Sequence, residues 1–316
     1  MSKQSSTTLS LLSANTLILF EVVWAVVALL FFLFFSVPPP GEGRPSWYLN
    51  GITVLETGAF AIASLLCFRN WQSGQIVSGR GVWRSIFLGL LCYTVGNIFF
   101  YIWGNQFGLD PDVSLGDFFY LFSYIFLAAG MLQAVLPRRL NLEARQWAIV
   151  ALTGFLGVAL ALFLNYQGAE ASVLPSPPIA TALSHHLGIV PTVNPAGTMV
   201  AVTAPSWAIA LDASLEPIEP IVSWLYVLGD CLLLVVAATL LVAFWGGRFS
   251  QSWKLIAIAA FCLYIADMFF AFQAEYQEGD LWEVFWTFSA IFFGLGAIVE
   301  NSISSRSRRT SRRRRA

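Results

Sequence analysis

The sequence predicts an all-α, polytopic membrane protein whose eight transmembrane helices form two parallel four-helix repeats, with both termini cytoplasmic. Three observations carry this: the apolar composition, the one-sided distribution of basic residues, and an internal repeat. Of 316 residues, 57% are hydrophobic and only 11% charged, against about a quarter charged in an ordinary soluble domain. Mean hydropathy is +0.71. These values exclude a soluble enzyme and a disordered protein.

A bilayer core of about 30 Å needs roughly 20 apolar residues per helix. Eight runs of that kind occur: Thr16–Ser36, Asn50–Cys67, Trp83–Trp103, Leu115–Leu136, Trp147–Leu164, Ile221–Trp245, Trp253–Ala274 and Leu281–Val299. The first holds Glu21 and Trp24 and ends in Pro38-Pro39-Pro40 without a small-residue cleavage site, so it reads as a retained helix rather than a signal peptide. The spans set the organisation: a cytoplasmic segment 1–15, one four-helix unit over 16–136, a second over 147–299, and a basic cytoplasmic tail 300–316. Within the second unit the connection 167–220, rich in Pro, Ala, Val and Ser, lies outside; short helices or irregular structure are expected there rather than a separate domain.

Orientation follows from charge. Lys3, Arg69, Arg80, Arg84, Arg138, Arg139, Arg145, Arg248, Lys254 and the tail arginines fall on one side of the eight-span arrangement, and Arg44 alone on the other. Short basic loops stay in the cytoplasm, so that side is inside. The tail arginines Arg306, Arg308, Arg309, Arg312, Arg313, Arg314 and Arg315 directly follow the last span. There they are expected to hold anionic lipid headgroups rather than nucleic acid.

The chain also aligns with itself. Trp83-Arg84, Cys92, Gly96-Asn97 and Phe99-Phe100 match Trp253-Lys254, Cys262, Ala266-Asp267 and Phe269-Phe270 without a gap. Asp117, Phe119, Phe122, Ser123 and Gly130 match Glu283, Phe285, Phe288, Ser289 and Gly296, while Glu56 and Trp71 match Asp230 and Trp245. Second and sixth, third and seventh, fourth and eighth spans therefore correspond; first and fifth do so by order alone. An even number of spans per unit makes the repeats parallel.

Acids lie inside these spans without bases. Glu56, Asn97, Asp117, Asp230, Asp267 and Glu283 all fall in the outer half, forming one layer, with Tyr120 and Tyr124 on the face of Asp117. Burial without a cation favours the neutral acid, a hydrogen-bond donor, unless a cation or amine neutralises it. Glu56, Asn97, Asp117, Tyr120, Tyr124, Asp230, Asp267 and Glu283 are thus candidate ligand-binding residues in an acidic, aromatic-walled pocket suited to a small polar or cationic ligand. The same acids read equally as interhelical hydrogen-bonding groups, and Asp117 and Glu283, near water, favour that reading. Glu21, close to the inner end of its helix, is expected to reach the cytoplasmic interface.

Other chemistry is thinly represented. Cys67, Cys92, Cys231 and Cys262 lie in apolar runs and behave as small hydrophobes. His185-His186 lacks spaced partners for a metal. No membrane lysine or histidine, phosphate-binding loop or nucleophile elbow is present; no enzymatic activity and no cofactor are expected.

The stretches Leu225-Tyr226-Val227-Leu228-Gly229-Asp230-Cys231-Leu232-Leu233-Leu234, Trp253 to Asp267, and Gly279-Asp280-Leu281-Trp282-Glu283 resemble the multi-helix membrane region at the N-terminus of bacterial diguanylate cyclases and related signalling proteins. Ser114-Leu115-Gly116-Asp117-Phe118-Phe119-Tyr120-Leu121-Phe122-Ser123-Tyr124 resembles the same region. The resemblance implies a sensory input module of a bacterial inner (plasma) membrane, here stand-alone, with no output domain after Glu300 and hence a cytoplasmic signalling partner. The alternatives are a structural or assembly factor of a larger membrane complex, and a cation, amine or proton transporter, the last disfavoured by the lack of a broken helix in either half.

Overall fold

The computed structural model describes residues 13–39, 43–109, 113–136, 142–172, 192–193, 199–200, 204–244, 250–272 and 278–313. Among the described residues, eight helices are long and apolar enough to cross a membrane. Helix α1 (Ala14–Phe35) opens at Ser13, whose hydroxyl accepts the Thr16 N–H at 3.1 Å, and stops before Pro38. At about 1.5 Å per residue its 22 residues match a bilayer core. Helix α2 (Ser46–Gln72) follows Pro45, and α3 (Arg80–Tyr101) starts after Gly79, whose φ of 98° favours glycine. The last turn of α3 widens into a π-helix over Ile102–Gln106.

Helix α4 (Leu115–Val135) leads to α5 (Ala144–Ser172). The expected loop from 167 therefore begins as helix and is helical to Ser172. In the remainder of that connection are a two-residue antiparallel pair, β1 (Thr192–Val193) with β2 (Met199–Val200), and a short helix α6 (Ser206–Leu215). A 3-10 turn, Glu216–Ile218, joins α6 to α7 (Glu219–Ala243). Helix α8 (Ser250–Phe272) precedes a second 3-10 turn, Leu281–Glu283, and α9 (Val284–Arg313). What was expected as a separate basic tail is, through Arg313, the continuation of α9. Arg306, Arg308, Arg309, Arg312 and Arg313 lie on that helix, their side chains outside the described part; Arg314, Arg315 and His185-His186 lie outside the described residues altogether.

Neighbouring helices close a circuit: α2 packs on α3, α3 on α4, α4 on α7, α7 on α8, α8 on α9, and α9 back on α2. Helix α1 lies against α9 and α2, and α5 against α7 and α8. Lipid tails are as apolar as leucine, so helix association depends on close packing and interhelical hydrogen bonds. The core accordingly interlocks fully buried Phe60, Ile86, Leu90, Leu127, Ile256 and Phe293 across the helices. Trp83 and Trp253, both 0% exposed and each in the first turn of its helix, meet within it with ring centroids 6.1 Å apart. The outward faces of α1 and α5 carry exposed Phe34 and Phe155, as a lipid-facing surface requires.

Candidate functional site

Helix starts place two of the acids. Asp117 is the third residue of α4, and its Oδ2 accepts the Ser114 backbone N–H at 2.7 Å and hydroxyl at 3.0 Å; Ser114 in turn accepts from the Gly116 N–H. Glu283 does the same at the start of α9, its Oε1 accepting the N–H groups of Gly279 at 2.8 Å and Asp280 at 3.2 Å. Both carboxyls close capping boxes, where they satisfy orphan N–H groups. Asp117 has a second partner, the Tyr226 hydroxyl, which donates to its Oδ1 at 2.6 Å across the α4–α7 contact.

Deeper in the helices the other acids meet polar partners from neighbouring helices. Asn97 of α3 donates its amide to Glu56 Oε1 of α2 at 2.9 Å and accepts from the Tyr120 hydroxyl of α4 at 2.8 Å. The approach is possible because Gly96 leaves room for the Tyr120 ring, which a Cβ there would meet at 2.7 Å. On the other side the Tyr124 hydroxyl lies 2.8 Å from Asp230 Oδ1 of α7 and 2.6 Å from Asp267 Oδ2 of α8. The Trp286 indole of α9 donates to Asp267 Oδ1 at 2.7 Å.

Seven of the eight candidates thus enter interhelical hydrogen bonds, while Glu283 binds at its own helix start. Tyr226 and Trp286 were not among them. Tyr226 stands four residues before Asp230, hence on its face of α7, a spacing legible in the sequence; Trp286 follows Glu283 by three residues, as Tyr120 follows Asp117. Aromatic rings fill the space between: Tyr93 stacks on Phe60 at 3.9 Å and meets Tyr120 edge-on at 4.9 Å, and Tyr124 meets Tyr226 at 5.8 Å. Glu56, Tyr120, Tyr226 and Asp267 are enclosed by protein yet keep part of their surface accessible.

The end of the bundle that carries Arg44 is tied down separately. Arg44 pairs with Asp280 and donates to the carbonyls of Ser36 at 2.9 Å and Glu278 at 3.1 Å, while the Tyr48 hydroxyl donates to the Gly279 carbonyl. Burial pushes the Glu278 carboxyl above the usual carboxylate range, against the opposing pull of hydrogen bonds from Asn105 and Thr53 and the charge of Arg44. The Trp103 indole, in the π-helix, donates to Asp212 Oδ1 at 2.8 Å and holds α6 over the end of α3.

Glu21 departs from expectation. Instead of reaching the interface it is buried, 2% exposed, with its carboxyl against Gly294 of α9 and beside Leu66 of α2. Glycine at 294 leaves the recess that the carboxyl fills. The cysteines are all free, and among the described residues no group of three or more His, Cys, Asp or Glu could hold a metal ion. Comparison with known proteins finds no matching family model, curated protein or solved structure.

Proposed function

We propose that the chain is an integral-membrane sensory or regulatory module of a bacterial inner membrane that binds a small polar or cationic ligand from the extracytoplasmic side. In this reading it passes a helix shift to a cytoplasmic partner. The observation that carries the reading is the enclosed but accessible group Glu56, Tyr120, Tyr226 and Asp267, contributed by α2, α4, α7 and α8. Carboxyls, hydroxyls and aromatic faces converge there, and a small ammonium or polar group would find both charge and ring faces. Helices from both halves meet at the site, so a ligand there biases their relative position.

The reading includes two parallel repeats with the start of α1 and the end of α9 on the cytoplasmic side. Matched contacts support the duplication. The α2–α3, α3–α4 and α4–α7 contacts correspond to α7–α8, α8–α9 and α9–α2. A Cβ on Gly130 would meet Ile86, and one on Gly296 would meet Ile256, each at 2.7 Å. The Tyr120–Asn97 bond corresponds to Trp286–Asp267, and the Asp117 capping box to that of Glu283. Helices α1 and α5 fall outside this pattern, since a twofold rotation would carry the α7/α8 groove holding α5 onto the α2/α3 groove, whereas α1 lies between α9 and α2.

The test is ligand titration of the protein in nanodiscs, with choline and putrescine as probes and tryptophan fluorescence as readout. A saturable change is expected, abolished by Asp267→Asn, which keeps an acceptor for Trp286 but removes the charge. If neither probe moves the fluorescence or the melting temperature, or if Asp230→Asn and Asp267→Asn leave fold, abundance and cellular phenotype untouched, the binding reading fails.

A further inference from the structure

The groove between α2 and α3 faces away from the candidate site. On α3, Arg80, Arg84, Phe87 and Leu91 follow one another at spacings of four, three and four, so they share a face. Phe68 and Trp71 of α2 line the facing wall: Phe68 lies 5.2 Å and Trp71 5.8 Å from the Phe87 ring. Leu65, 50% exposed, continues that wall, as Leu91, 40% exposed, continues the other. From one end inward the groove therefore presents exposed guanidinium groups, then aromatic rings, then aliphatic surface. A phospholipid has the same order of phosphate, interfacial linkage and acyl chain.

Charge and space both select the occupant. Arg80 Nε donates to the Trp71 carbonyl at 2.7 Å, which fixes the side chain and leaves the N–H groups of its two terminal nitrogens for an anion. Arg84 is exposed one turn further on. Glu300, the acid that the α2–α3 turn engages through Ser78, is fully buried. The corresponding groove between α7 and α8 is filled by α5, a comparison that rests on the repeat proposed above, whereas the charge argument does not.

We propose that the α2/α3 groove seats an anionic phospholipid, its phosphate held by Arg80 and Arg84 and an acyl chain lying along Phe68, Phe87 and Leu91. The bound lipid occupies the position that α5 takes in the other half and braces α2 and α3, the helices that carry Glu56 and Asn97.

Reconstitution into vesicles doped with brominated-chain phosphatidylglycerol or brominated-chain phosphatidylcholine tests this. The readout is the quenching that disappears in Trp71→Phe. Phosphatidylglycerol should be preferred by about thirtyfold, from about fivefold for each arginine near an anionic headgroup. The preference should collapse in Arg80→Gln/Arg84→Gln, and by about fivefold in Arg84→Gln alone, a variant of an exposed residue that keeps the fold measurable by circular dichroism. Inorganic phosphate added to phosphatidylcholine vesicles should leave the Trp71 signal unchanged. Equal quenching by both lipids, no Trp71-dependent quenching, a preference that survives the arginine variants, or displacement of the lipid by free phosphate would each overturn the assignment. Amine binding is read in nanodiscs as the change that Asp267→Asn abolishes, lipid binding in vesicles as the quenching that Trp71→Phe abolishes, so loss of one result leaves the other standing.

Discussion

Removing the Tyr226 hydroxyl takes away the 2.6 Å bond to Asp117 and leaves the capping box intact. Tyr226→Phe should therefore cost about 1 kcal/mol, the usual worth of an interhelical hydrogen bond in a membrane. Asp117→Ala, which also orphans the start of α4, should cost roughly twice as much; unfolding in mixed micelles measures both. Glu278 supplies a pH test. Its carboxyl is raised in the folded protein, so the folded chain holds a proton there that the unfolded chain releases. Stability linked to this group is full below the unfolded value of about 4.3 and declines as pH rises through that value toward the folded one. The melting temperature of the wild type should fall relative to that of Glu278→Gln as pH rises above about 4, and parallel curves would refute the linkage. The sequence revealed which side chains were anomalous, because an acid in an apolar run is conspicuous. It did not reveal their partners: spacing puts Tyr226 on the face of Asp230 but says nothing of its bond to Asp117, Trp286 looks ordinary in an aromatic-rich chain, and Glu21 is explained only by a glycine on a distant helix.

At the scale of elements, helix existence was legible and helix ends were not. Apolar runs mark the part of a helix in lipid, yet hydrogen bonding continues past the last apolar residue, which is why α5 reaches Ser172 and α9 reaches Arg313. The π-helix at the end of α3 has no apolar signature; Trp103, bonded to Asp212, marks it only after folding. Trp103→Phe should free α6 from α3 without disturbing the bundle, seen as faster hydrogen exchange over Ser206–Leu215 with an unchanged melting temperature. The matched glycines offer a comparison between halves. Gly130→Leu and Gly296→Leu each push a side chain into an isoleucine that a Cβ alone would meet at 2.7 Å. Each should destabilise by about 1–3 kcal/mol, and a large effect at one with none at the other would count against equivalent packing.

For the whole molecule, the eight helices long and apolar enough to cross a membrane among the described residues were plain in the sequence, because charge is costly to carry across lipid. Cysteines introduced as Ser13→Cys and Ser311→Cys, in a background lacking the native cysteines, should both react with an impermeant maleimide only from the cytoplasmic face; labelling of either from outside would reverse the orientation. What periodicity could not supply was the circuit of helices, since every apolar helix looks alike from its lipid side and only the contacts say which is its neighbour.

Arg44 and Tyr48 bond to Glu278, Gly279 and Asp280, more than two hundred residues downstream. During synthesis, the first hairpin must therefore wait in the bilayer, its rim unclasped, until the last pair of helices leaves the insertion machinery. A ribosome stalled before residue 278 would carry a chain whose first helices are made but whose Arg44 end is still open, so the final clasp belongs to the end of translation and not to its beginning.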